Sequence, residues 1–334
     1  MMNKGMNTNL LDDMRDSNLI RVREVEGETG IYACNFTRDA FIGHEWNDLT
    51  TKARGLFLDS SGKVVMRGFE KFFNIGENKE TTIDAVLGKM TYPARVESKE
   101  NGFLGLIGAR PEENCFRFYS KSGNTDYSDI IKQRFYDEMD DSGNIHQLWK
   151  IMTDRDITVA VEVIDMESDR HIITYSESRL YFIHAIRNTV DFAIDWEADD
   201  ELDGLFQHRP DMAIVRNEDE LVRELDNAKH SFREGCVVYG RDGYMVKVKS
   251  DLYLKAKSLR TPLRRVLVNG KPVPQDDSPR SIAVRWVLDN ADASRLTYMR
   301  KSDGIMEPDM TYVSRLLIAN PDALGAIALP FAGE

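Results

Sequence analysis

The sequence predicts an α+β chain: antiparallel sheets over most of its length, then a small all-helical C-terminal domain. Three observations carry this. Arg54-Gly-Leu-Phe-Leu-Asp59 and Lys63-Val-Val-Met-Arg67 alternate on either side of a Ser60-Ser-Gly62 turn, which is a hairpin signal. Gly235-Cys-Val-Val-Tyr239 and Tyr244-Met-Val-Lys-Val-Lys249 repeat the pattern around Arg241-Asp-Gly243. From Leu252 onward the apolar spacing turns helical.

In chain order, residues 8–25 give a short helix and a strand, and residues 30–36 another strand. Ala94-Arg-Val-Glu-Ser98 alternates as a strand that ends at Lys99, and Gly102 permits a turn. Phe103–Ala109 and Cys115–Lys121 are further strands, followed by helical spacing over 126–153. Thr158–Ile164 is a buried strand interrupted by Glu162, and Arg179–Ile186 is another. Helices are expected over 199–206 and 217–229. After Lys249 they are expected from Leu252, then over 280–290, 291–300 and 308–319, with a loop at 268–279. These readings place one domain at 1–254 and a helical C-terminal domain at 255–334.

The chain has 334 residues and a net charge of −12. An acidic balance counts against a protein that coats nucleic acid non-specifically, though not against a local basic groove. Such a groove is foreshadowed at 244–265, where Lys247, Lys249, Lys255, Lys257, Arg260, Arg264 and Arg265 face one acid, Asp251. Three scattered cysteines with no CxxC pair read as reduced thiols of a cytosolic protein. No stretch approaches the ~20 apolar residues of a membrane span, and Met1–Asp13 lacks the apolar core of a signal peptide. The expectation is a cytoplasmic protein without a membrane partner.

Candidate chemistry centres on Ser98-Lys99-Glu100-Asn101-Gly102. A lysine amine is a poor nucleophile while protonated, and nearby cations or desolvation lower its pKa. A strand end followed by glycine fixes the amine and lets backbone approach a ligand. Taken alone, the pentapeptide also fits a surface lysine in a charged turn. Glu162 either faces water on a half-buried strand or binds a ribose hydroxyl or hydrated Mg²⁺. Glu234, beside Gly235, either opens an ordinary turn or holds a magnesium water shell. Lys247 and Lys249 share one strand face, which suits a phosphate groove or a solvated sheet face. Arg54, Lys71 and Lys121 are, singly, surface charges.

The ordered set is more specific. Arg54-Gly, Glu70-Lys71-Phe-Phe-Asn74, Lys99-Glu-Asn-Gly102, Ser120-Lys121-Ser-Gly123, Val161-Glu162-Val163, Glu234-Gly235 and Lys247-Val-Lys249 together resemble the covalent nucleotidyltransferases. These are the polynucleotide ligases and RNA capping enzymes, and the pattern is most similar to the bacteriophage T4 RNA ligase 1 type. The resemblance covers about residues 30–255. It implies an antiparallel-sheet nucleotidyltransferase domain and an ATP-dependent RNA ligase acting through lysyl-AMP and RNA-adenylate. Its partners would be RNA 5′-phosphate and 3′-hydroxyl ends, as in a cleaved tRNA.

Carried over by position, the resemblance implies that Lys99 takes AMP, and that Arg54 and Lys71 hold ATP phosphates. Lys121 lies near the nucleotide or the RNA end. Glu162 meets the ribose or the metal shell, Glu234 holds metal waters, and Lys247 and Lys249 bind the α-phosphate. Gly102 gives the nucleotide room, and Tyr253 matches a tyrosine near the site. Mg²⁺, or Mn²⁺ in its place, is the implied metal. A monomer is expected, in the cytoplasm of a bacterial host if a phage encodes the chain. One departure stands out, since most of the family has aspartate where this chain has Asn101. The alternatives are a DNA ligase or capping enzyme, which the helical tail disfavours, and a non-catalytic RNA-binding protein on a ligase fold. Arg260, Arg264 and Arg265 either track RNA phosphates or sit on a helix that packs through Leu259, Leu263 and Leu267, while Trp286 suits the core.

Overall fold

Alternating apolar residues pair into sheets because each strand then has one face to bury. A computed structural model describes residues 9–139, 142–301 and 303–327. The first eight residues and the last seven, on which parts of the N-terminal and C-terminal expectations rest, lie outside the described residues. Among the described residues no helix is long and apolar enough to cross a membrane. The chain divides into two units of interleaved segments.

The first unit takes the chain up to Phe72, then Phe103–Val163 and Arg179–Arg209. One sheet is a meander in which Ile20–Glu24, Ile31–Phe36, Arg54–Asp59 and Val64–Arg67 pair consecutively and antiparallel. The second sheet has the order Arg179–Arg187, Ile157–Ile164, Phe103–Arg110, Cys115–Ser120. The sheets approach closely at Gly108, where a Cβ would come 2.6 Å from the Met66 sulfur. Helices Asp126–Glu138, Ser142–Arg155 and Trp196–Asp203 supply apolar faces to a core that includes Ile107, Phe135, Val159, Phe182 and Leu202.

Arg67 is an unexpected member of this unit. Its side chain is 1% exposed. One guanidinium nitrogen donates to the carbonyls of Thr189 (2.6 Å) and Val190 (2.9 Å), and another to Glu70 (2.9 Å). A buried charge needs such partners, so Arg67 staples the 189–190 loop to the hairpin.

The second unit takes Phe73–Gly102, Ile164–Ser178 and the chain from Pro210 on. Its five-stranded sheet has the order Met212–Val215, Ala94–Lys99, Gly235–Tyr239, Met245–Lys249, Phe73–Asn74. Only the last pairing is parallel. Ala94, Val96, Cys236, Val238 and Val246 point to one face and pack against Val86, Leu221 and Leu225 of helices Ile83–Lys89 and Glu218–Lys229. The opposite face carries the charged residues.

Helix Asp251–Leu267 follows the sheet directly and runs through position 254. Its Leu252, Leu259 and Leu263 pack with Val284, Val287, Val313, Leu317 and Ile172. Trp286 packs against this core, as expected. The helix expected over 291–300 is replaced by a 3-10 turn, Ala293–Arg295, and a strand, Thr297–Met299, paired with Met306–Pro308. Asp292 accepts a hydrogen bond from Ser294 N at 3.0 Å, and Gly304 supplies a positive φ of 68° for the return turn. Short-range capping of this kind competes with helix.

Gly235 is the tightest point of the second sheet. Its φ is +142°, and a Cβ there would lie 1.9 Å from the Val248 carbonyl oxygen. Gly235→Ala is therefore expected to lose about 3 kcal/mol or more of stability through backbone strain and overpacking. Denaturant unfolding of the variant reads this directly.

Candidate active site

The register of the second unit brings its charged residues together. Gly235 pairs with Lys99 on one side and with Lys249 on the other. Lys99 and Lys249 thus flank a residue that has no side chain, and both rise from the charged face. One row back on that face, Val237 lies between Glu97 and Lys247. Glu97, 4% exposed, shares that face, and sequence reasoning did not single it out although alternation two residues before Lys99 places it there.

Glu234, immediately before Gly235, supplies the counter-charge. Its Oε2 lies 3.1 Å from Lys99 Nζ and its Oε1 3.2 Å from Lys249 Nζ. Burial pushes the Glu234 carboxyl upward, but the two ammonium groups outweigh this and hold it below the ordinary glutamate range. Lys249 is held below the usual lysine range, first by burial and then by the neighbouring cations Lys257 and Lys99, with Glu234 opposing. Its Nζ also sits 4.5 Å from the centre of the Tyr253 ring, a favourable cation–π contact. Ser250 builds this corner. Its N–H donates to the Glu234 carbonyl, and its Oγ caps the helix by accepting from Tyr253 N.

Asn101 explains the departure from aspartate. Its Nδ2 donates to Glu234 Oε2 at 2.8 Å. Its Oδ1 accepts from Ile172 N and Ile173 N at 2.9 and 3.0 Å, and its own N–H donates to Tyr175 Oη at 2.7 Å. Tyr175 in turn donates to Glu100 at 2.9 Å. The 170–175 loop is itself held by Arg170–Asp309 (2.6 Å) and by Thr311 donating to the His171 carbonyl (3.1 Å). An amide accepts those N–H groups and donates to Glu234 at once, which an ionised carboxylate cannot do. Asn101→Asp would set a second carboxylate against Glu234. It is expected to destabilise by roughly 1–3 kcal/mol at neutral pH. The loss should shrink toward pH 5, where one of two touching carboxyls retains its proton. Melts at pH 5 and 7.5 would show the difference.

The first unit assembles a separate set. Arg54 donates to the Phe69 carbonyl at 3.1 Å. Burial lowers its pKa and the Glu162 charge opposes that. Lys121 is lowered by desolvation and by the Arg54 charge. Arg54, Lys121 and Glu162 are therefore electrostatic neighbours. Gly55, with φ +64°, leaves room beside the Lys121 backbone, where a Cβ would come within 3.4 Å. Lys71, in the same unit, lies over the Trp46 ring at 5.0 Å, with its Nζ 3.3 Å from the Phe72 carbonyl. Gly102 closes the Lys99 turn and belongs to the second unit.

Among the described residues, no group of three or more His, Cys, Asp and Glu is placed to hold a metal ion alone. Among the described residues, Oε2 of Glu234 is met by two donors, while Oε1 accepts from Lys249 alone. A carboxylate oxygen has two acceptor positions, so Oε1 fits one metal-bound water rather than a coordination cage.

A family model described as RNA ligase matches residues 52–253. This chain belongs to the RNA ligase family, of the T4 RNA ligase 1 type. This chain also aligns with tRNA ligase 1 of Schizosaccharomyces pombe, at 30% identity over 46% of this chain and 21% of that protein. The tRNA ligase of Candida albicans aligns at 26% identity over 43% of this chain and 20% of that one. The chain thus spans about a fifth of the length of these relatives. Two solved structures of an archaeal ATP-dependent RNA ligase share its fold. They give TM-scores of 0.54 and 0.55 at 13% and 14% identity, covering 95% and 92% of this chain and 75% and 73% of theirs. The ligase fold is thereby established as α+β with antiparallel sheets.

Proposed function

We propose that this chain is an ATP-dependent RNA ligase that joins 5′-phosphate and 3′-hydroxyl ends through a covalent lysyl-AMP. The observation that carries the reading is the register of Lys99, Gly235 and Lys249, with Glu234 as their shared counter-charge.

In the first step neutral Lys99 Nζ attacks the α-phosphorus of ATP. A P–N bond forms, the bond to the β-phosphate oxygen breaks, pyrophosphate leaves, and the amine proton passes to solvent. Lys249, raised on the same face, stabilises charge on the α-phosphate, as fixed cations do in such transfers. Lys247 extends that cationic row. Arg54 and Lys71 attract the outer phosphates, and Glu162 and Lys121 attend the nucleotide or the RNA end. In the second step an oxygen of the RNA 5′-phosphate attacks the same phosphorus, and Lys99 leaves and recovers a proton. In the third, a 3′-hydroxyl attacks the activated 5′-phosphorus and AMP departs.

Mg²⁺, with Mn²⁺ able to replace it, would be held through water by Glu234 and would neutralise phosphate charge. Cleaved tRNA is the favoured substrate, since both aligned relatives are named tRNA ligases. The test is ATP-dependent sealing of a broken tRNA loop, compared with a nicked DNA duplex. Sealing of the loop supports the reading, and sealing of the DNA nick alone refutes it.

A further inference from the structure

Among the described residues, 165–178 link strand Ile157–Ile164 to strand Arg179–Arg187 outside any helix or strand. Such a segment has no ladder to set its backbone, so other groups must do so. The C-terminal region supplies them. Asp309 is buried and divides its carboxylate between two tasks. Oδ1 accepts from Tyr312 N at 2.9 Å and caps helix Met310–Ile318. Oδ2 accepts from the Arg170 guanidinium at 2.6 Å, a charge-assisted bond. Tyr298, in strand Thr297–Met299, grips the backbone of the same residue. Its Oη accepts from Arg170 N at 3.0 Å and donates to the Arg170 carbonyl at 3.3 Å. The Arg170 guanidinium stands over the Tyr298 ring, 5.0 Å from its centre. Thr311 Oγ1 donates to the His171 carbonyl at 3.1 Å, and the Ile172 side chain enters the core formed with Leu259 and Val313.

Three successive residues are thus fixed, up to the pair of N–H groups that hold Asn101. Ile172 N and Ile173 N both donate to Asn101 Oδ1. The two ends of a side-chain amide are nearly alike in shape, so its hydrogen-bond partners decide which end faces which way. Two donors on Oδ1 turn Nδ2 toward Glu234, which it meets at 2.8 Å. In the opposite orientation an amide oxygen would face the carboxylate. Glu234 would then be held by Lys99 and Lys249 alone, at 3.1 and 3.2 Å.

We propose that Tyr298 and Asp309 are positioning residues for the Lys99 reaction, acting through the 170–173 backbone and the Asn101 amide on Glu234. The reaction concerned is lysyl-AMP formation, so the proposal rests on the ligase reading. It gives the C-terminal region a part in the first chemical step.

The full chain would carry Tyr298→Phe or Asp309→Asn. The first removes one oxygen and keeps the ring. The second keeps an oxygen for the helix cap and gives up the ion pair with Arg170. Each is measured alone and combined with Asn101→Ala, by the rate of label transfer from α-labelled ATP to the protein. At saturating ATP each single variant should be slower by about tenfold, since small misplacements near a reacting group are costly in rate. Half-saturating ATP should stay within about twofold, as for an interaction that serves the chemical step rather than binding. In the Asn101→Ala background neither change should slow transfer by more than about twofold further, because groups that act through one another are not additive. Lys301→Ala breaks an exposed ion pair with Glu167 of the same segment and should transfer label at the wild-type rate.

A second readout needs no nucleotide. Acetylation of Lys99 by N-hydroxysuccinimidyl acetate is followed by mass spectrometry against exposed Lys79. Its rate should change by about threefold or more in each single variant and stay constant in the Asn101→Ala background. Where wild type takes label, unchanged transfer in both single variants overturns the proposal. An equal further loss in the Asn101→Ala background also overturns it, since that marks a role in the fold alone. A wild type that takes no label but shows the coupled acetylation would sustain the relay and refute the ligase reading.

Discussion

Lys99→Ala is expected to abolish RNA joining, with a fall of about 10⁴-fold or more, because no other group substitutes for a covalent nucleophile. The fold should survive. Removing Lys99 leaves Glu234 still paired with Lys249 at 3.2 Å and hydrogen-bonded to Asn101 at 2.8 Å. Lys99→Arg provides the sharper control. Arginine keeps a positive charge beside Glu234 but stays protonated and cannot attack phosphorus. It should be as inactive as alanine while melting closer to wild type. A Lys99→Arg variant that still joined RNA would show that the residue contributes only charge.

Glu234→Gln should lose more stability than Lys99→Ala or Asn101→Asp. The carboxylate is 3% exposed and balances two lysines on the same sheet face. Leaving those cations without it costs about 2–4 kcal/mol, since a buried pair broken on one side strands the other charge. The pH dependence follows from the direction of its shift. The folded-state pKa of Glu234 lies below its unfolded value of about 4.5. Its contribution is therefore complete above that value and is lost as pH falls through the folded pKa. Wild type should lose stability more steeply than Glu234→Gln below about pH 4.5, so the two should converge in acid. Parallel denaturation curves at all pH values would contradict this.

Much of the sheet architecture was legible because alternation is a local signal. Both hairpins, the strand ending at Lys99 and the strand carrying Glu162 stand where apolar periodicity places them. So does the shared face of Lys247 and Lys249. What escaped depends on partners distant in sequence. Nothing local to Asn101 shows that its amide joins Glu234 to the backbone at Ile172 and Ile173. Nothing local to Arg67 shows that the carbonyls of Thr189 and Val190 close over it. The strand Met212–Val215 is too short to announce itself, yet it pairs beside the Lys99 strand. Over 291–300, apolar spacing was outweighed by a capping aspartate and a hairpin that needs residues 306–308 to exist.

The departure at Asn101 also has a different physical meaning in three dimensions. From sequence it is a missing negative charge. In the structure it is a donor that lets one carboxylate serve two lysines, anchored through Tyr175 and the 170–175 loop to Asp309 and Thr311.

The most direct measurement is incubation of wild-type protein with α-labelled ATP and Mg²⁺, followed by proteolysis and mapping of the labelled peptide. The account predicts acid-labile label on Lys99 alone, absent from Lys99→Ala. No label on wild type, or label that persists in Lys99→Ala, would contradict it.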